Sequence, residues 1–262
     1  MVQHRIDAGT DIACVGIWDA GLPPLRRVPD AKEVEASAVR GEALPIETSA
    51  DGGYVLEILV EESFVAPAGR TYETLERDYG LNLASGTALV GGFEDFRSRR
   101  PQITSEEDLI HVEPSWYRVR VHLNRIDPEY VEALSHDAAE RALSPEELAR
   151  HRQLGRYGNA GCASMLLAVP LFIVAGRSNG ATALIALVAG LVLFTAPAWL
   201  NRLAKRRGDL ELQQRYESTR ARATPPDVVL ELWRTDAPLP GGRVSLEAAR
   251  EEQLPSRAAR HR

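Results

Sequence analysis

Within the run SWYRVRVH at 115–122, Trp116, Arg118, Arg120 and His122 recur at every second position, which sets them on one face of an extended strand. A later run, DVVLELWR at 227–234, carries Glu231 and Trp233 at the same spacing. Two indoles beside two guanidiniums suit an aromatic or anionic peptide ligand, held by cation–π contact and aromatic anchoring. The same residues also suit a plain cross-strand ladder, with Arg paired to Glu and Trp stacked on Arg, at about 0.2–1 kcal/mol per pair. Trp116, Arg118, Arg120, His122 and Trp233 form the candidate binding surface.

Other chemistries find little support. His4, His111, His122, His136, His151 and His261 are scattered, with neither HxxxH nor Cys/His spacing, so no metal site is expected. Neither phosphate-binding glycine pattern occurs, nor G-x-S-x-G, and no cofactor is expected. Glu61-Glu62 and Glu106-Glu107-Asp108 read as solvated loop charges. Cys14 and Cys162 lie in different settings and make no disulfide framework; Cys14 reads as a small buried hydrophobe. A hydrolase would have only His122 and neighbouring acids to work with, so no catalytic residue is assigned and the chain reads as a non-enzyme.

These residues must be held by a framework, and charge divides that framework sharply. The whole chain carries 31 basic and 37 acidic residues, a net of −6. Residues 1–135 hold 24 acids and 13 bases, a net of −11, whereas 201–224 hold 7 bases and 3 acids, a net of +4. Nucleic acid is therefore not an expected partner. Between these regions, 159–200 contains one charge, Arg177. The start of the chain has no basic stretch followed by an apolar run, so no cleavable signal is expected.

The apolar stretches 159–176 and 181–200 have 18 and 20 residues and no ionisable side chain. Roughly 20 helical residues cross about 30 Å of hydrocarbon, so the pattern predicts a transmembrane helical hairpin with an outer turn at 177–180. Basic residues flank its outer ends and only Arg177 sits at the tip, which predicts a multi-pass protein of the cell membrane with both termini in the cytoplasm. Tyr157, Trp199, Arg152, Arg156, Arg202 and Arg206 are the expected interface anchors, with the bilayer and its anionic headgroups as partners. Ala186-x-x-x-Gly190 lets the two helices pack closely, and a homo-oligomer is a second use of the same face.

The fold class expected is thus a membrane α-helical hairpin inserted in, or attached to, a mainly-β cytoplasmic domain. In residues 1–135, alternation at 54–61 and 116–123 and the apolar run 11–18 predict short strands of a sandwich or barrel. Helical arms are expected at 136–157 and 201–223, the first opened by Ser144-Pro145-Glu146-Glu147 as a capping box. The segment 224–240 reads as a lone strand, which is unstable by itself and predicts a return to the N-terminal sheet. Residues 241–262 read as a solvated tail.

The stretch Ser115-Trp116-Tyr117-Arg118-Val119-Arg120-Val121-His122, with a later aliphatic strand ending at Trp233, resembles a pattern in uncharacterised actinobacterial β-domain proteins. In those the aliphatic strand soon follows the first; here about 90 residues intervene, and Asn124-Arg125-Ile126-Asp127 lacks their glycine. The resemblance implies a shared fold and no particular activity. The composite expectation is a membrane-anchored binding protein of unknown protein partner, with a hairpin that assembles into a small structural or channel-like unit as the alternative.

Overall fold

A computed structural model describes the chain apart from residues 1, 26, 28, 49, 68, 100–108, 178, 207–208 and 247–262, and apart from the side chains of 2, 155–163, 165 and 196–206. The described residues are mixed α/β and divide into two compact units: residues up to Ile126 and from Pro225 onward, and Asp127–Thr224.

The first unit holds two sheets. One runs β1 (Val2–Thr10), β4 (Gly52–Val60), β10 (Val228–Thr235), β9 (Ser115–Asn124), with β5 (Tyr72–Thr74) and β6 (Tyr79–Leu83) sharing the far edge of β9. The other runs β11 (Val244–Ser245), β3 (Ala43–Glu47), β2 (Cys14–Asp19), β7 (Thr87–Gly92), β8 (Leu109–His111). Alternation explains why β9 and β10 lie face-down: Tyr117, Val119, Val121 and Leu123, together with Val228, Leu230 and Leu232, are almost wholly buried in one core with Val15, Ile17, Leu44 and Ile46 of the second sheet. Each such side chain fully removed from water contributes about 1.5–3 kcal/mol.

β10 is parallel to β4, with Leu230 opposite Ile58, and antiparallel to β9, with Leu230 opposite Val121. The late strand β10 thus completes the middle of a sheet begun near the N-terminus. After β10 the chain passes over β6, where the amide of Gly80 donates to the carbonyl of Pro240 at 2.9 Å, before β11 joins β3. Gly80 allows that crossing: a Cβ there would stand 2.0 Å from the Leu239 carbonyl oxygen. α1 (Ala31–Val39) starts with a capping box between Asp30 and Glu33.

The second unit contains α2 (Pro128–Arg141), α3 (Pro145–Arg177), α4 (Ala181–Arg206) and α5 (Asp209–Ala223). Ser144 caps α3, its hydroxyl accepting from the Glu147 amide while the Glu147 carboxylate accepts from the Ser144 amide. Ala139, Leu143, Leu212 and Tyr216 form its small core. Arg150 pairs with Asp209 and Arg215 with Glu147. On the α3/α4 hairpin, Ala168 and Ala186 are buried, and a Cβ on Gly190 would meet the Phe172 ring at 3.0 Å, so small residues set the helix approach.

Here the membrane expectation is corrected. Among the described residues no helix is long and apolar enough to cross a membrane. The fold class of a transmembrane hairpin on a β-domain therefore gives way to a mixed α/β chain with two sheets and a helical unit. The multi-pass location at the cell membrane, with both termini in the cytoplasm, loses its basis for the same reason. Of the expected interface anchors, Arg152 pairs with Glu140 at 3.1 Å. The side chains of Tyr157, Trp199, Arg156, Arg202 and Arg206 lie outside the described residues, as do Cys162, Glu106-Glu107-Asp108 and the tail from 247.

Candidate functional site

The outer face of the six-stranded sheet has a closed half and an open half. Register sets both. His122 lies opposite Val229, Arg120 opposite Glu231, Arg118 opposite Trp233 and Trp116 opposite Thr235. Because odd-numbered residues of β9 point into the core, all four of its even-numbered chemistry-bearing residues stand outside it.

In the closed half, a loop after β4 folds over the sheet. His122 and Glu231 are 5% and 4% exposed, and their side chains meet at 3.0 Å, Nε2 to Oε1. The same Oε1 accepts from the Phe64 amide at 2.6 Å, while Oε2 accepts from Trp233 Nε1 at 3.1 Å. Phe64 packs on the imidazole with ring centroids 5.0 Å apart and meets Tyr72 edge-on. The other imidazole nitrogen, Nδ1, lies 2.8 Å from Thr74 Oγ1 on β5.

The electrostatics follow from this packing. Burial pushes the Glu231 carboxyl upward, but hydrogen bonds from the Phe64 amide, the Trp233 indole and His122 outweigh it and hold the group below the usual carboxylate value. Burial pushes His122 below its ordinary value, against the opposing pull of Glu231. The pair is therefore a neutral imidazole facing an ionised carboxylate. A carboxylate only accepts, so Nε2 carries the imidazole proton and Nδ1 presents a lone pair to Thr74.

In the open half, Arg118 and Arg120 keep 46% and 43% of their side chains exposed and share one carboxylate, Asp78. Arg120 Nε lies 3.1 Å from Asp78 Oδ1, and Arg118 Nε lies 3.7 Å from Oδ2. Trp233 is half-buried across from Arg118. Trp116 is drawn aside, close against Gly41, where a Cβ would fall 2.7 Å from its ring.

The structure thus splits the candidate surface: Arg118, Arg120 and Trp233 remain open, whereas His122 is enclosed and Trp116 is packed against the α1 turn. Sequence reasoning missed Asp78, Thr74 and Phe64. Their segment, 61–78, shows no long alternation, and only the edge pairing of β5 and β6 along β9 brings them to the site. Among the described residues no group of three His, Cys, Asp or Glu side chains is placed to hold a metal ion.

No protein-family model matches this chain, and no curated protein does. Among solved structures, the chain is similar to the product described as "Crocagin biosynthetic gene J", at 14% identity and a TM-score of 0.34, over 47% of this chain and 79% of that one. It is also similar to ComJ from Bacillus subtilis, described as an inhibitor of the DNA-degrading activity of NucA, at 7% identity and a TM-score of 0.29, over 45% of this chain and 80% of that one. At these scores neither likeness carries an argument about function.

Proposed function

We propose that the chain is a binding protein whose open half-face, Arg118, Arg120 and Trp233, takes an acidic, aromatic-bearing peptide segment of a protein partner. One observation carries this reading: two exposed guanidiniums share the single carboxylate of Asp78 beside a half-buried indole. Glu231, ionised and opposite Arg120, is buried, so what this face presents to solvent is two guanidiniums against the one part-exposed carboxylate of Asp78, on a region whose sequence, residues 1–135, has a net charge of −11. An acidic ligand is then drawn to one place and repelled elsewhere. Trp233 is fixed by its bond to Glu231, so little side-chain freedom is lost when a ring stacks on it. The likeness of 115–122 to uncharacterised actinobacterial β-domain proteins belongs to the same proposal.

The test is fluorescence anisotropy with a labelled peptide of alternating glutamate and tyrosine, and alternating lysine and tyrosine as control. Saturable, salt-sensitive binding of the acidic peptide alone supports the proposal, and equal binding of both peptides refutes it.

A second reading concerns the helical unit. Leu166, Leu167, Leu184, Ile185 and Val192 are 60–74% exposed, an apolar surface that favours burial against a second copy of the hairpin. Native mass spectrometry of the full chain tests it: an oligomer that Leu184→Glu with Ile185→Glu dissociates supports it, and a monomer removes it.

A further inference from the structure

Three groups stand in one line across the closed half-face. Thr74 lies directly opposite His122 on neighbouring strands, its side chain is exposed, and its Oγ1 is 2.8 Å from His122 Nδ1. His122 Nε2 is 3.0 Å from Glu231 Oε1. Glu231 is itself fixed by the Phe64 amide and the Trp233 indole. Because the carboxylate holds the imidazole proton on Nε2, the Thr74 hydroxyl is the donor to Nδ1. A surface hydroxyl is thus backed by a buried base, which is in turn oriented by a buried acid. That is the arrangement by which a weak nucleophile is activated, recognised by geometry and roles and not by sequence order.

We infer that Thr74 is a nucleophile toward ester carbonyls, with His122 as its general base and Glu231 as the positioning residue. In the first step Thr74 Oγ1 bonds to the carbonyl carbon as its proton passes to His122 Nδ1. The adduct collapses, the bond to the alcohol oxygen breaks, and that oxygen takes the proton from Nδ1. Water then attacks the acyl carbon, giving its proton to Nδ1. The bond to Thr74 breaks and Thr74 recovers the proton. The sum is ester plus water giving acid plus alcohol, with no redox change. Burial suits His122 to this role, since an imidazole held below its ordinary value is free to accept a proton at neutral pH. The substrate class is a small ester, because Phe64 packs on the imidazole and Thr74 is the exposed member of the line.

Turnover of p-nitrophenyl acetate by the full chain tests this independently of the peptide-binding reading, whose residues Arg118 and Arg120 take no part. Thr74→Val keeps the shape at an exposed position and removes only the hydroxyl. The wild type should release nitrophenol about a hundredfold faster than Thr74→Val, with an acetyl adduct mapped to Thr74, and Thr74→Ser should restore activity. The rate should rise with pH along one titration below the ordinary histidine value, and Glu231→Gln should displace that titration. Equal rates in wild type and Thr74→Val, an adduct confined to other residues, or no release above buffer from the folded chain would each overturn the inference.

Discussion

The backbone amide of Phe64 donates to Glu231 Oε1 at 2.6 Å, joining two positions 167 residues apart and closing a loop over a buried carboxylate. Glu231 also receives Trp233 Nε1 and His122 Nε2, so three donors converge on its two oxygens. Ionic charge is tolerated at this depth because each lone pair that faces the protein finds a proton.

Glu231→Gln should therefore destabilise the β-unit. Its amide nitrogen would face a donor wherever it is placed, leaving one buried N–H without an acceptor, at a cost of about 1–3 kcal/mol. Urea unfolding should show a lower midpoint at an unchanged slope. A midpoint equal to the wild type would mean that the three donors do not hold the loop.

The same cluster sets the response to acid. The folded-state value of His122 lies below 6.5, because burial disfavours the imidazolium. Between that value and 6.5 the unfolded chain binds more protons, so the stability His122 contributes is full above 6.5 and is lost as pH falls through the folded value. Glu231 lies below 4.5 in the folded chain, so its contribution is present above 4.5 and is lost at still lower pH. Stability should fall in two stages on acidification, and His122→Gln should shrink the upper stage, to which His4, also held below its ordinary value by burial, contributes as well. A urea midpoint flat from about pH 7 down to about pH 5 in the wild type would contradict the assignment.

Gly80 carries a different constraint. An added Cβ would lie 2.0 Å from the Leu239 carbonyl oxygen, and that atom is backbone, so the crossing chain itself must move. Gly80→Ala should cost about 1–3 kcal/mol, as overpacking does in cores. Gly53, with nothing within 4 Å of its position for a Cβ, is the control. Matching unfolding curves for the two alanine variants would show that the crossing is not tight.

What the sequence makes legible here follows from periodicity. Tyr117, Val119, Val121 and Leu123 alternate cleanly, as do Val228, Leu230 and Leu232, because each strand has one face in the core and one outside. A lone strand at the far end of the chain points to a partner elsewhere, and β9 supplies it. Ser144 and Glu147 announce the start of α3 because a cap is a local device. Thr74, Asp78 and Phe64 stay hidden, since β5 has only three residues and its role depends on an edge position that no local pattern encodes. The apolar 159–200 stretch reads as a membrane hairpin by composition, yet among the described residues no helix meets the length and apolarity needed. Composition reports a preference for apolar surroundings, and two helices meet part of that preference by packing on each other, as buried Ala168 and Ala186 do.

Cys14 should be a slow nucleophile. Burial, its largest influence, pushes the thiol up to about 11, so at about pH 8 roughly one molecule in a thousand carries the thiolate. In a Cys162→Ser background, iodoacetamide should modify Cys14 at least about tenfold more slowly than free cysteine, and unfolding in urea should abolish the difference. Rapid labelling of the folded chain would contradict the raised thiol and its partly buried placement.

The most direct measurement of the central claim is the affinity of the labelled glutamate–tyrosine peptide for the wild type and for Arg118→Glu with Arg120→Glu. The double variant loses the exposed ion pairs to Asp78 and gains like-charge repulsion from Asp78 and from Glu231 opposite position 120, so its folding is checked by urea unfolding before binding is read. Its affinity should fall at least about tenfold, equivalent to about 1.4 kcal/mol, and the wild-type affinity should weaken as salt is raised. Undiminished binding by the folded double variant would place the partner elsewhere and contradict the account.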